Sequence, residues 1–345
     1  MSERLSRLRE RLDEPLLVSN PFNVRYLTGF ASSNAALLVE DERVRLFSDF
    51  RYREAARGVP GVELVETRRD LFGHLAELLA GRIGFEVGHL TYARYEALTE
   101  AGLGLVPRTG LVEGLREVKD EGELGLIARA AAITDEAYAL LAREPFVGRS
   151  ERELAWRMAT FLHELGADGP AFESIVASGP NAALPHARPT GRRIGVSETV
   201  IVDAGCTVDG YNSDCTRTFA TGELGPELAR AYDVCLRAQT AGLSAVVPGV
   251  LGASVDAEAR SLIQAEELGE SFGHGLGHGL GLEVHEAPWL NPEKESMLAA
   301  GNVVTVEPGI YLPGLGGVRI EDLVIVRDAG PEVLSGFSKE LMVVG

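Results

Sequence analysis

The chain has 345 residues, 45% hydrophobic and 24% charged, and its 33 Lys and Arg against 51 Asp and Glu leave a formal charge of −18. A folded chain of this length buries about three-quarters of its unfolded surface, so it needs neither metal nor disulfide merely to fold, and so apolar a composition excludes general disorder. The acidic balance argues against nucleic acid and anionic membranes as partners, because both demand concentrated positive charge. Residues 1–12 read as a short amphipathic helix, with Leu5, Leu8 and Leu12 at helical spacing and no apolar core of a signal peptide. No apolar run reaches the roughly 20 residues of a membrane span. Three cysteines, Cys206, Cys215 and Cys235, form no CxxC pair. An odd, unpaired set fits a reducing compartment, so a cytoplasmic location is expected, with the cysteines as inert core residues.

Short strand-like runs follow at Leu16–Val18, Ala36–Val39, Val44–Phe47, Val62–Val65 and Arg82–Phe85, interleaved with helical stretches at Arg51–Arg57, Leu71–Leu79 and Tyr92–Ala101. Strands alternating with helices predict an α/β domain. Its end falls near residue 116, giving domains 1–116 and 117–345. Glu117–Arg143 is the longest predicted helix. A second, Ser150–Leu165, opens on a capping box formed by Ser150 and Glu153. Glycine-rich loops and strands fill Ala167–Phe219, a third helix covers Glu227–Ala245, and strands and loops are expected from there to the end.

One pattern occurs twice. Val200-Ile201-Val202-Asp203 leads through Asp209-Gly210 to Ser213-Asp214-Cys215-Thr216, and Val303-Val304-Thr305-Val306-Glu307 leads through Pro313–Gly317 to Arg319-Ile320-Glu321. Each is a strand–turn–strand unit with one acid ending the first strand and another opening the second. On antiparallel strands such acids can lie side by side, and two such units imply a pseudo-twofold arrangement. A carboxylate in an apolar strand is costly unless neutralised, so four acids in this context point to a cation site.

The histidines point the same way. His278 sits in Gly273-His274-Gly275-Leu276-Gly277-His278-Gly279-Leu280-Gly281, where glycine permits close approach to a ligand. Leu282, Val284 and His285 alternate as on a strand, which directs His285 towards the same place, and His186 lies in the loop after Pro185. His285-Glu286 is not followed by a second histidine at zincin spacing, and no GxSxG, P-loop or GxGxxG motif is present.

The ordered set Val202-Asp203-Ala204-Gly205, Asp214-x-Thr216-Arg217-Thr218, His274-Gly275-x-Gly277-His278-Gly279-x-Gly281-x-Glu283-Val284-His285-Glu286, Glu307-Pro308-Gly309-x-Tyr311 and Gly317-Val318-Arg319-Ile320-Glu321-Asp322 resembles the M24 metallopeptidases, and within them the Xaa-Pro branch of aminopeptidase P and prolidase. The resemblance is detailed over residues 117–345. It is looser in the first domain, at Thr28-Gly29-Phe30 and Asp49-Phe50-Arg51-Tyr52. It implies a creatinase/prolidase-like N-terminal α/β domain and a pita-bread catalytic domain, α/β (α+β) overall. It further implies that Asp203, Asp214, His278, Glu307 and Glu321 bind two divalent cations, Asp214 and Glu321 bridging them. Oxygen-rich ligation favours Mn²⁺, with Co²⁺ or Zn²⁺ as alternatives. Glu307 would move the proton of the attacking water, His186 and His285 would steady the scissile carbonyl, and His274 would contact substrate. Tyr311 and Arg319 would orient the Asp203 carboxylate. The substrates would be Xaa-Pro peptides, cleaved at the imide bond, and the family commonly forms homodimers.

One departure concerns substrate length. Many prolidases carry an arginine shortly after the His-Glu pair, thought to hold the dipeptide's carboxylate; here that place is Trp289. The resemblance therefore favours aminopeptidase P activity on longer peptides, with Xaa-Pro dipeptidase as the alternative if Arg45, Arg51 or Arg53 of the first domain, or a partner subunit, supplies a cation. A non-catalytic binding protein on the same fold is the remaining class, opposed by the intact ligand set. Methionine aminopeptidase lacks so large a first domain, and metal-free creatinase would not need the ligands.

Overall fold

The computed structural model describes residues 3–345, which form two compact units divided between Arg116 and Glu117. The alternation read in the first third becomes a mixed six-stranded sheet. Its order is Glu63–Thr67, Val44–Asp49, Ala35–Val39, Leu16–Val18, Arg82–Glu86 and Gly104–Arg108. The helix Leu71–Leu78 lays Leu71, Phe72 and Leu75 on Leu17, Phe47 and Phe85 of the sheet, as its apolar spacing dictates. The predicted first helix is present over Glu3–Arg9; Met1 and Ser2 lie outside the described residues. A helix not anticipated, Pro21–Thr28, starts at an Asn20 cap whose side chain accepts from the Phe22 N–H, with proline in the first turn, and closes on left-handed Gly29.

The second unit has two matching halves. In the first, the helices Glu121–Leu141 and Glu151–Glu164 cover a sheet of Ile175–Ser178, Thr199–Ala204 and Cys215–Ala220. In the second, Pro226–Ser244 and Gly252–Ala265 cover a sheet built on Gly277–Gly279, Val303–Val306 and Asp322–Ile325. The expected capping box of Ser150 with Glu153 is formed, and a second, not anticipated, joins Asp120 and Glu123. The helix Gly252–Ala265 replaces predicted strand and loop. No side chain caps its N-terminus and its first turn holds weak helix formers, so local signals are poor; Val255, Ala259 and Ile263 hold it by complete burial on one face.

The two repeated units are deeper than simple hairpins. Thr199–Ala204 pairs with Cys215–Ala220, placing Asp203 opposite Thr216, and between them Cys206–Val208 and Tyr211–Asn212 form a smaller hairpin. Likewise Val303–Val306 pairs with Asp322–Ile325, and Gly309–Leu312 with Gly316–Arg319 forms the nested hairpin. Asp203, Asp214, Glu307 and Glu321 thus sit where the outer pairs meet the nested hairpins. The close approach this requires is visible at Gly205, where a Cβ would lie 1.8 Å from the Ser213 carbonyl oxygen. The strand expected over Leu282–His285 is instead a series of bends. There Gly281 N–H donates to the Glu283 carbonyl at 3.0 Å, and the strand begins at Glu286.

Candidate active site

The four acids and His278 converge on one cavity of about 280 Å³ in the second unit, which His186, His274, His285 and Trp289 also line. Donor atoms of Asp214, His278 and Glu321 all lie within 4.8 Å of one another, and all three side chains are buried. His278 donates through Nδ1 to the Gly279 carbonyl at 3.0 Å, which aims Nε2 at Glu307 Oε1 at 3.2 Å and Asp214 Oδ2 at 3.9 Å. Without a cation Nε2 carries a proton that it donates to Glu307; burial lowers the imidazole's pKa, but the hydrogen bond and charge of Glu307 outweigh it and raise the group. With Nδ1 so committed, Nε2 is the nitrogen that would exchange its proton for a cation. Asp203 and Glu307 reach the cavity from its two sides.

Burial dominates the electrostatics. It drives the carboxyls of Asp214 and Glu321 well above the ordinary range, reinforced by their negative neighbours. Asp203 is also raised by burial, against the opposing charge of Arg319. For Glu307 burial pushes upward too, but the hydrogen bond and charge of His278 outweigh it and hold the group at about 2. Asp203 Oδ1 and Glu321 Oε1 are buried without a hydrogen-bond partner. Orphaned carboxylate oxygens beside an imidazole nitrogen that can exchange its proton for a metal are the arrangement a cation completes, and the residues present fit divalent ions bound mainly through oxygen.

Around these donors lies a hydrogen-bonded frame. Arg319 donates to Asp203 Oδ2 at 2.8 Å, to the Tyr311 hydroxyl at 3.0 Å, to Thr216 Oγ1 at 3.1 Å and to the Pro185 carbonyl at 3.0 Å. Burial pushes the Tyr311 phenol up to about 12, so it remains protonated and can donate to His274 Nε2 at 3.0 Å. His274 Nδ1 in turn donates to the Gly275 carbonyl at 2.8 Å. Both ring nitrogens of His274 are therefore engaged, and only its carbon edge is left for the cavity. His186 and His285 are exposed at the cavity wall, and the His285 ring lies 4.3 Å from that of His278.

Two residues escaped the sequence reading. Thr216 donates to Glu321 Oε2 at 2.8 Å, and Thr305 donates to Glu307 Oε1 at 3.1 Å while accepting from the His278 N–H at 3.1 Å. The two-residue step from Thr305 to Glu307 puts that threonine on its acid's face, a signal available in the sequence, whereas Thr216 meets Glu321 from a distant part of the chain. Phe172, Ile175 and Val284, also unanticipated, supply apolar wall.

Comparison with known proteins places the chain in a family. Residues 125–328 match metallopeptidase family M24, and residues 4–118 match the creatinase/prolidase N-terminal domain. The chain belongs to metallopeptidase family M24. Among its relatives, an Xaa-Pro dipeptidase of Pyrococcus furiosus is 33% identical over 99% of this chain and 100% of that protein. The solved structure of an Xaa-Pro dipeptidase from Bacillus anthracis superposes with a TM-score of 0.95 at 37% identity, covering 99% of both chains. That of an X-Pro aminopeptidase from Thermotoga maritima gives 0.88 at 32%, covering 97% of this chain and 99% of the other.

Proposed function

We propose that this protein is an Xaa-Pro dipeptidase working with two divalent cations, Mn²⁺ foremost. The observation that carries the metal requirement is the convergence of four acids and His278 Nε2 on one cavity, with Asp203 Oδ1 and Glu321 Oε1 left without partners. Asp203, Asp214, His278, Glu307 and Glu321 would hold the cations. Once bound, such ions act as Lewis acids and acidify water at neutral pH. Glu307 would accept the proton of the attacking water and return it to the departing proline nitrogen. His186 and His285 donate to the carbonyl oxygen as charge gathers on it. Arg319 keeps Asp203 in place, and Tyr311 fixes the ring of His274, whose carbon edge offers an apolar contact rather than a hydrogen bond.

The choice of dipeptides replaces the longer-peptide preference drawn from Trp289. Its support is the full-length likeness to the Pyrococcus furiosus and Bacillus anthracis dipeptidases, together with a cavity at the small end for a ligand site. Aminopeptidase P remains the second reading, favoured by Trp289 and by the Thermotoga maritima structure. The test is hydrolysis of an Xaa-Pro dipeptide beside an Xaa-Pro-Xaa tripeptide, with Mn²⁺ and with chelator. Higher kcat/KM on the dipeptide, abolished by chelator, is expected. Faster cleavage of the tripeptide would make the enzyme an aminopeptidase P, and activity untouched by chelator would remove the metal from the reading.

A further inference from the structure

The chain contains three lysines, Lys119, Lys294 and Lys339. Two are committed to buried carboxylates: Lys119 to Glu286 at 2.8 Å, and Lys339 to Asp322 at 2.6 Å. Lys294 differs. It is exposed, and among the described residues no carboxylate lies within ion-pairing distance of its ammonium. Its chain folds back so that Nζ sits 3.3 Å from the centre of the Trp289 ring, over its face.

That ring is part of the site. Trp289 and Asn291 both line the cavity, and the Trp289 ring centre is 6.5 Å from that of His278. With the 3.3 Å to Trp289, this caps the distance from the Lys294 ammonium to the His278 ring at about 10 Å. In an Xaa-Pro dipeptide the free carboxylate is three bonds from the scissile carbonyl carbon, about 4 Å away. Lys294 does not itself line the cavity, so it would reach from across the Trp289 ring to the carboxylate of a substrate whose carbonyl lies against the acid cluster. The turn that delivers the lysine is built for it. Asn291 Oδ1 accepts from the Glu293 N–H at 2.7 Å, and Ser296 Oγ accepts from the Trp289 N–H at 3.1 Å.

The other cations proposed for this task are engaged elsewhere. Arg45 pairs with Glu40, Arg51 with Asp49 and Arg53 with Glu66. Within the cavity wall Arg319 is the cation, and it is committed to Asp203.

We infer that Lys294, seated on Trp289, receives the free carboxylate of the dipeptide substrate, so that the cation missing at position 289 is restored five residues later. The inference rests on the dipeptidase reading and names the residue that selects for it. An ammonium on an aromatic face keeps its positive charge and loses side-chain freedom before substrate arrives.

The test compares an Xaa-Pro dipeptide with the same dipeptide amidated at its C-terminus, with wild type, Lys294→Gln and Lys294→Arg, all in Mn²⁺. Wild type should prefer the free acid. Lys294→Gln should raise KM for the free acid about tenfold, the scale of one partly exposed charge-assisted hydrogen bond, while kcat and both constants for the amide hold. Lys294→Arg should recover most of the loss. If wild type prefers the acid and Lys294→Gln keeps that preference, the assignment to Lys294 is wrong while the dipeptidase reading stands. If wild type treats acid and amide alike, both fall. An equal loss on the two substrates would reduce Lys294 to a support for Trp289 and also overturn the inference.

Discussion

Two buried charges show how differently a single residue is managed in the two units. Arg319 is surrounded by acceptors: the Asp203 carboxylate, the Tyr311 and Thr216 hydroxyls and the Pro185 carbonyl. Its planar fork presents donors in fixed directions, which a lysine ammonium cannot imitate. Glu86 in the first unit has no such cation in its hydrogen bonds among the described residues. It accepts from the Ser19 and Asn20 N–H groups at 2.6 and 2.7 Å and from Asn23 Nδ2 at 2.6 Å. Burial outweighs those bonds and raises the carboxyl from 4.5 to about 7. The folded protein consequently binds this proton more tightly than the unfolded chain does. The stability it contributes is complete below about pH 4.5 and is lost as pH rises through 7, a loss of about 3 kcal/mol. Hydrogen exchange of the amides around Ser19–Val24 should therefore show protection falling between pH 5 and 8, after correction for intrinsic rates. Glu86→Gln, which does not titrate, should flatten that slope; an unchanged slope would assign it to other groups.

At the scale of elements, the site depends on a segment whose regular structure is limited to the short 3₁₀ turn Gly179–Ala183. Residues 179–193 carry His186 and the Pro185 carbonyl that Arg319 grips. What ties them down is Glu151, at the start of the helix Glu151–Glu164 and fully buried. Its carboxylate accepts from the N–H and hydroxyl of Ser178, both at 2.8 Å, from Asn181 Nδ2 at 3.0 Å, and from the N–H and hydroxyl of Thr190 at 3.0 and 2.6 Å. Glu151→Gln turns one acceptor into a donor facing donors, at a cost of about 1–3 kcal/mol. The expected result is a kcat/KM reduced about tenfold or more together with a lower melting temperature, and faster hydrogen exchange confined to 179–193. A lower melting temperature with kcat/KM intact would restrict Glu151 to structure. None of this was visible from Glu151 as a letter, which reads as an ordinary acid in the first turn of a helix. Legible elements were those whose signal is local: the Ser150 cap, the alternating strands of the first unit, the acids closing apolar runs. The helix Gly252–Ala265 and the bends at Leu282–His285 depend on packing against distant chain, as with Gly252 against the Trp289 carbonyl, where a Cβ would lie 2.0 Å away. For the same reason Trp289 announced an absent cation, whereas the lysine above it emerges only when the turn is folded.

For the whole molecule, the nested hairpins of the two halves bring Asp203 and Asp214 from one and Glu307 and Glu321 from the other into a single cavity. Such a concentration of like charge in a chain already at −18 opposes folding unless cations or protons neutralise it. Without metal the protein must use protons. The raised carboxyls of Asp214 and Glu321 then contribute stability that is full below about pH 4 and lost as pH rises through their elevated values. With metal the dependence reverses, because cations compete with protons for the same oxygens and bind better as pH rises. The gap between metal-loaded and metal-free protein should accordingly widen from pH 5 to pH 8. At a cation concentration one hundred times Kd the stabilisation is about 2.7 kcal/mol, or about 5–10 °C in a unit of this size. Both tryptophans, Trp156 and Trp289, lie in the second unit, so their fluorescence follows its melting separately from the first. Melting curves with Mn²⁺ and with chelator at several pH values decide the matter. A constant gap would mean that protons and cations do not share a site, and no gap at all would mean that the cluster is stable as a set of bare acids, contrary to the energetics of its burial.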